Sequence, residues 1–187
     1  MPNGGETELG FTRMYESLTF FDPPPSHAST PMSASVETFQ GSGDPALPIA
    51  QSVDLTTLLG NLFAASDARF TVAGYSLGGA LAILHGAVLG GTGSPVDVYT
   101  FAAPMVGDET FVQSYSSVVQ ESYAIENKPD IVSHLPGTLL GYAPDVQRVE
   151  VNSLEFPELR HTISCFHHLY TYLYVLGDHV DISSCKA

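Results

Sequence analysis

The chain has 187 residues and a mass of 19.9 kDa, which on about 100–200 residues per domain points to one domain spanning 1–187. Hydrophobic residues make up 44% and charged residues only 14%, so a sizeable core can form and disorder throughout is excluded. Six basic residues against 20 acidic ones give a formal charge of −14, a field that repels phosphate backbones, so no nucleic-acid partner is expected.

Residues 11–21 place Phe11, Met14, Tyr15 and Leu18 at helical spacing, and Asp22 followed by Pro23, Pro24 and Pro25 is expected to end that helix. Between Asp22 and Ala50 lie six of the 13 prolines, and this proline-rich stretch, 22–50, reads as a surface loop. Val53 to Ala65 carries Val53, Leu55, Leu58, Leu59, Leu62 and Phe63 on a helical stripe. Arg69 to Tyr75 follows as a short β-rich run.

A helix is expected over Leu77–Leu89, broken by Gly90, Gly91 and Pro95, and Val96–Phe101 reads as a second buried strand. Asp108–Val119 reads as a helix, Ser122–Ile125 as a third strand and Val146–Asn152 as a fourth. Alternating strands and helices predict an α/β fold with a mostly parallel sheet flanked by helices. No stretch approaches the ~20 apolar residues of a membrane-spanning helix, so no transmembrane segment is expected. The opening residues lack the basic region and apolar run of a signal peptide.

Gly74-Tyr75-Ser76-Leu77-Gly78 has Gly-x-Ser-x-Gly spacing where that motif belongs, after an apolar strand and at the opening of a helix. A serine on so sharp a turn is expected to have a strained backbone, and a side chain at Gly74 or Gly78 is expected to collide with the neighbouring element. The helix start aims N–H groups at an oxygen forming beside Ser76, which makes the Leu77 N–H a natural oxyanion donor. A serine hydroxyl needs a base and an orienting carboxylate, which follow it in the chain in this fold. Asp130, on the loop after the third strand, stands where active sites form in such sheets, although an Asp after Pro129 also suits a simple turn. Of the seven histidines, His161, His167, His168 and His179 remain as bases, and residue chemistry alone does not separate the adjacent His167 and His168.

The strings GYSLGGALA (74–82), VYTFAAPMVGDETF (98–111), NKPDIVSHLP (127–136) and HHLYTYL (167–173) together resemble the class 3 (fungal-type) lipases, serine esterases of the α/β-hydrolase fold. The resemblance spans roughly residues 7 to 175, with LGFTRMYESL (9–18) similar to the family's early Gly-Phe helix. It implies Ser76 as nucleophile, Asp130 as the acid and His167 as the base, with Leu169, Tyr172 and Leu173 in register and His168 in reserve. The activity implied is hydrolysis of neutral acyl esters, on a small-molecule or lipid substrate, by an acyl-enzyme route with no metal or cofactor. Feruloyl esterase and phospholipase A1 fall under the same resemblance; a non-catalytic hydrolase-fold protein or an incomplete fragment of a larger lipase is the reading from another class.

Tyr75 departs from the family's usual histidine before the serine, and Met105 from its usual arginine after the proline. The family's upstream strand with an Arg-Gly-Thr/Ser motif has no match before Glu6, so the fold is expected to be N-terminally reduced. Something must then cover the outer edge of the Arg69–Tyr75 strand. Either Gly4–Phe11 shifts inward to pair with it, bringing Gly4 and Gly5 toward Ser76 as a second oxyanion donor, or a separate polypeptide supplies the strand, with self-association of the isolated chain as its consequence. Cys165 and Cys185 fit neither a zinc site nor a Cys-x-x-Cys pair. They are expected to be bonded, which fits a secreted protein without establishing its compartment.

Overall fold

The computed structural model describes residues 5–7, 9–17, 20–21, 52–53, 69–145 and 147–187. The chain divides into two compact units, Met1–Leu18 with Asp67–Ala187, and Thr19–Ser66. In the smaller unit, β1 (Phe20–Phe21) and β2 (Ser52–Val53) form an antiparallel pair, Phe20 opposite Val53 and Phe21 opposite Ser52. The Asp22–Ala50 loop and the helix expected from Val53 onward lie outside the described residues, apart from Val53 itself, which is strand.

The larger unit opens with helix α1 (Leu9–Ser17), shorter than the helix expected over 11–21. Ser17 turns its hydroxyl back to the carbonyl of Met14 at 2.7 Å, a local bond that competes with the helical ladder. The aromatic pair Phe20 and Phe21 then takes the extended conformation its residue type favours.

Four parallel strands form the sheet in the order β3 (Phe70–Tyr75), β4 (Val96–Phe101), β5 (Glu121–Asn127) and β6 (Arg148–Val151). Helices α2 (Leu77–Gly91) and α3 (Glu109–Val118) cross between them. The register aligns Phe70 with Val96, Asp97 with Glu121 and Ala124 with Arg148. This is the parallel sheet with flanking helices expected from the alternation of elements, and the α/β-hydrolase-like arrangement that the resemblance implies. Ten residues of α2 are buried, eight of them alanine, leucine or glycine with Ile83 and His85, and the helix packs against β3, β4, α1 and α3. Its small residues make that closeness feasible: a Cβ at Gly90 would stand 2.5 Å from the Val118 carbonyl oxygen. Short helices α4 (Ile163–Phe166) and α5 (Leu169–Val175) follow the sheet, and Cys165 is disulfide-bonded to Cys185.

The described part of the N-terminal segment does not extend the sheet. Thr7 forms an antiparallel bridge with Gly107, and the Glu6 carbonyl accepts from Asp108 N at 2.9 Å. Gly5, at φ +86°, sits where a Cβ would lie 2.2 Å from Phe111 N. The inward shift of Gly4–Phe11 onto the elbow strand is therefore overturned: positive φ at Gly5 turns these residues onto the start of α3, and Gly5 meets Phe111 rather than Ser76. Among the described residues β3 is an end strand of the sheet, with β4 as its neighbour.

Candidate active site

Ser76 stands between the last residue of β3 and the first of α2. Its backbone takes φ 54° and ψ −124°, a region costly for any residue with a side chain and held here by its surroundings. Ser76 N donates to the Phe101 carbonyl at 2.8 Å, while its own carbonyl accepts from Gly79 N and Ala80 N. The turn is sharp enough that a Cβ at Gly74 would come within 2.2 Å of the Gly78 carbonyl oxygen. Gly78 corrects the expectation: a Cβ there meets nothing within 4 Å, and the tight position is Gly79, whose Cβ would press on Ala103 at 2.7 Å.

The other groups meet Ser76 beyond the carboxyl end of the parallel sheet, where such sheets leave a crevice. Asp130 lies three residues past β5, with its N–H bonded to the Asn127 carbonyl at 2.7 Å, and it is 1% exposed. His167 lies at the junction of α4 and α5 as the C-cap of the former. Ser76 Oγ is 2.9 Å from His167 Nε2, and His167 Nδ1 is 2.8 Å from Asp130 Oδ2. With Nδ1–H facing the carboxylate, Nε2 is free to accept the serine proton. Residue chemistry alone leaves the two neighbouring histidines open as base, and it is His167, the one the resemblance implies, that contacts Ser76 and Asp130. His168 is the N-cap of α5, its Nδ1 accepting from Tyr170 N at 3.3 Å.

Two tyrosines and an asparagine surround this line. Tyr172, fully buried, donates to Asp130 Oδ2 at 2.7 Å and accepts from Asn127 N at 3.0 Å. Burial above all, with the Asp130 bond adding to it, pushes the Tyr172 hydroxyl pKa up, so the group stays a donor. Asp130 Oδ1 accepts from Val132 N at 3.0 Å. Asn127 donates from Nδ2 to Ser153 Oγ at 2.9 Å and to the Phe166 carbonyl at 2.8 Å, tying the end of β5 to the residue before His167. Tyr75 donates its hydroxyl to the His167 carbonyl. Sequence reasoning assigned no role to Tyr75 or Asn127 and noted Tyr172 only for its register; a buried tyrosine reaching a carboxylate from more than 40 positions away leaves no local pattern.

Beside Ser76 lies a groove of about 530 Å³ lined by Phe11, Leu77, Pro104, Val132, Leu135, Pro136 and Leu140. None of these side chains is charged. The Met105 N–H donates to the Leu135 carbonyl at 2.8 Å, joining two of its walls. Leu77 is the first residue of α2, where helix geometry provides N–H groups with no partner within the helix. Among the described residues no group of three or more His, Cys, Asp or Glu side chains could hold a metal ion. No helix among them is long and apolar enough to cross a membrane.

The chain is 36% identical over 74 residues to secreted mono- and diacylglycerol lipase 1 of Fusarium solani, covering 40% of this chain and 22% of that protein. It is 26% identical over 123 residues to phospholipase A1-II 1 of Oryza sativa subsp. indica, covering 59% and 31%. Among solved structures, the Rhizomucor miehei lipase propeptide complex superimposes with a TM-score of 0.49 at 25% identity, over 65% of this chain and 43% of that one. The chain thus spans under a third of the length of these two curated relatives. The family pattern of Lipase (class 3) matches residues 2–140, a span that includes Ser76 and Asp130, and the chain belongs to the class 3 lipases.

Proposed function

We propose that the chain is a serine carboxylic ester hydrolase acting on neutral, lipid-like acyl esters. The observation that carries this reading is the unbroken line from Ser76 Oγ through the His167 imidazole to Asp130 Oδ2, at 2.9 and 2.8 Å, opening on an uncharged groove. Ser76 Oγ attacks the acyl carbonyl carbon as its proton passes to His167 Nε2, and the tetrahedral oxyanion takes the Leu77 N–H. Collapse expels the alcohol, which leaves with the proton from Nε2. Water then attacks the acyl-serine, His167 takes its proton and returns it to Ser76 Oγ, and the carboxylic acid departs. Asp130 holds the imidazole tautomer throughout.

Several features favour a neutral substrate. The net charge of −14 disfavours anionic lipid surfaces, and Leu77, Leu135 and Leu140 are exposed around the groove. The lipase and phospholipase relatives keep acylglycerols and phospholipid acyl esters within the proposal. The Cys165–Cys185 bond and the secreted Fusarium solani relative support an oxidising, extracellular setting. The test is a panel of short and long p-nitrophenyl esters, a diacylglycerol and a phosphatidylcholine, with Ser76→Ala as control. Hydrolysis abolished by that substitution is the expected result; equal rates in both proteins would sink the reading.

A further inference from the structure

We propose that Tyr75 is a positioning residue of this triad, using its hydroxyl and its ring to hold His167 in line with Ser76. The inference rests on the reading of His167 as the base.

His167 sits at a weak place in the fold. It caps α4, a helix of four residues, and His168 already begins the cap of α5, so neither helix encloses it. Carbonyls at helix ends lack an intrahelical acceptor role and take partners from elsewhere. The His167 carbonyl accepts the hydroxyl of Tyr75, 92 positions away in the chain. The two rings lie with centroids 5.3 Å apart and planes inclined by 32°. Asp130 Oδ2, at 2.8 Å from Nδ1, fixes the imidazole by its edge. Tyr75 bears on a ring face and on the main chain, which the carboxylate does not reach.

Tyr75 is itself well anchored. It is the last residue of β3, paired with Phe101 across the sheet, and it packs on the cluster of Ala102, Ile125 and Tyr172. Burial first, and then the Asp130 charge, push its hydroxyl pKa up, which keeps the proton on the donor. The consequence comes from connectivity. Tyr75 is joined by a peptide bond to the nucleophile and by a hydrogen bond to the base, so a shift of β3 carries both together and preserves the 2.9 Å gap between Ser76 Oγ and Nε2. Misplacement by about 1 Å can cost ~10²-fold in rate, which sets the scale of what such a link protects.

The experiment compares Tyr75→Phe, which removes the hydroxyl and keeps the ring, with Tyr75→Leu, which removes both. The readouts are kcat and KM on p-nitrophenyl butyrate, the rate of Ser76 labelling by a fluorophosphonate, and the thermal midpoint, with rates taken where circular dichroism reports a folded protein. Tyr75→Phe is expected to lower kcat and the labelling rate about three- to tenfold, with KM within about twofold. Tyr75→Leu is expected to lose roughly a further tenfold, so that Phe rescues part of the defect. In a His167→Ala background, where turnover is expected to be lost, Tyr75→Phe should leave the residual fluorophosphonate labelling rate unchanged, because it acts through the His167 ring. Wild-type kcat and labelling in Tyr75→Phe, with or without a lower thermal midpoint, would overturn the proposal, as would an undiminished effect in the His167→Ala background. Full activity of His167→Ala alone would overturn the triad reading and this inference with it, whereas an inactive His167→Ala beside a wild-type Tyr75→Phe would remove only the inference.

Discussion

Tyr172 donates its hydroxyl to Asp130 Oδ2 at 2.7 Å from inside the core, and so shares that oxygen with His167. One carboxylate oxygen thus serves both the proposed base and the protein interior. Tyr172→Phe would leave the ring in place but strip Asp130 of one donor and leave the buried Asn127 N–H without the acceptor it has at 3.0 Å. An orphaned buried donor costs about 1–3 kcal/mol. The variant is expected to lose stability in that range, measured by urea denaturation, and to lose turnover severalfold as Asp130 becomes less fixed. A variant equal to wild type in both would show that the hydroxyl contributes nothing to the carboxylate's placement.

The adjacent histidines separate by consequence. His167→Ala should abolish turnover and leave stability nearly unchanged, because its ring makes its polar contacts with the triad partners. His168→Ala should do the reverse. It removes the acceptor for Tyr170 N at the start of α5, a loss of about 0.5–1 kcal/mol for a cap, while most turnover remains. Parallel kcat and thermal-melt measurements decide between them, and the opposite pattern would transfer the role to His168.

The sequence carried the parts of this molecule that are local. Gly74 to Gly78 declared the elbow because strand, turn and helix follow within a few residues, and the strands at Val96–Phe101 and Ser122–Ile125 were visible as apolar runs between helices. Asp130 stands out as a candidate from its place after a strand. What was not legible is what the chain does at a distance. Phe20 and Phe21 continue an apparent helical stripe, and their pairing with Val53 and Ser52 is a non-local event. Tyr75 reads only as a departure from a family pattern, since nothing near residue 75 announces a carbonyl at residue 167. The path of residues 5–7 was misjudged because Gly5, free to adopt positive φ, selects a surface by tertiary fit.

The pH dependence of stability is expected to carry the mark of Asp145. Burial first, and then the charge of Glu126, push its carboxyl up from 3.8 to about 6 against the opposing Arg148. Between about pH 4 and pH 6 the folded chain therefore binds more protons at this site than the unfolded chain, and stability falls as pH rises through that window. Glu126, raised by burial and only 3.3 Å from Arg148, adds to the same slope. Asp145→Asn should match wild type near pH 4 and exceed it by about 1–3 kcal/mol above pH 6. Urea midpoints for both proteins across that range check it; a constant difference at every pH would assign the effect to packing instead.

The two glycines of the elbow should respond in opposite ways to alanine. At Gly74 the added methyl would meet the Gly78 carbonyl oxygen at 2.2 Å and Gly79 N at 2.7 Å, both backbone atoms that cannot swing aside. Gly74→Ala must therefore part β3 from α2, and loss of folding or of several kcal/mol is expected, as for other severe overpacking. At Gly78 the same methyl meets nothing within 4 Å, in the first turn of a helix where alanine is favoured over glycine by up to about 1 kcal/mol. Gly78→Ala should melt at or above the wild-type temperature. Because Gly74 and Gly78 flank Ser76 symmetrically in sequence, a protein that tolerated alanine equally at both would mean that the elbow is less tight than its geometry implies, and the strained φ of Ser76 would have to be relieved by movement of β3.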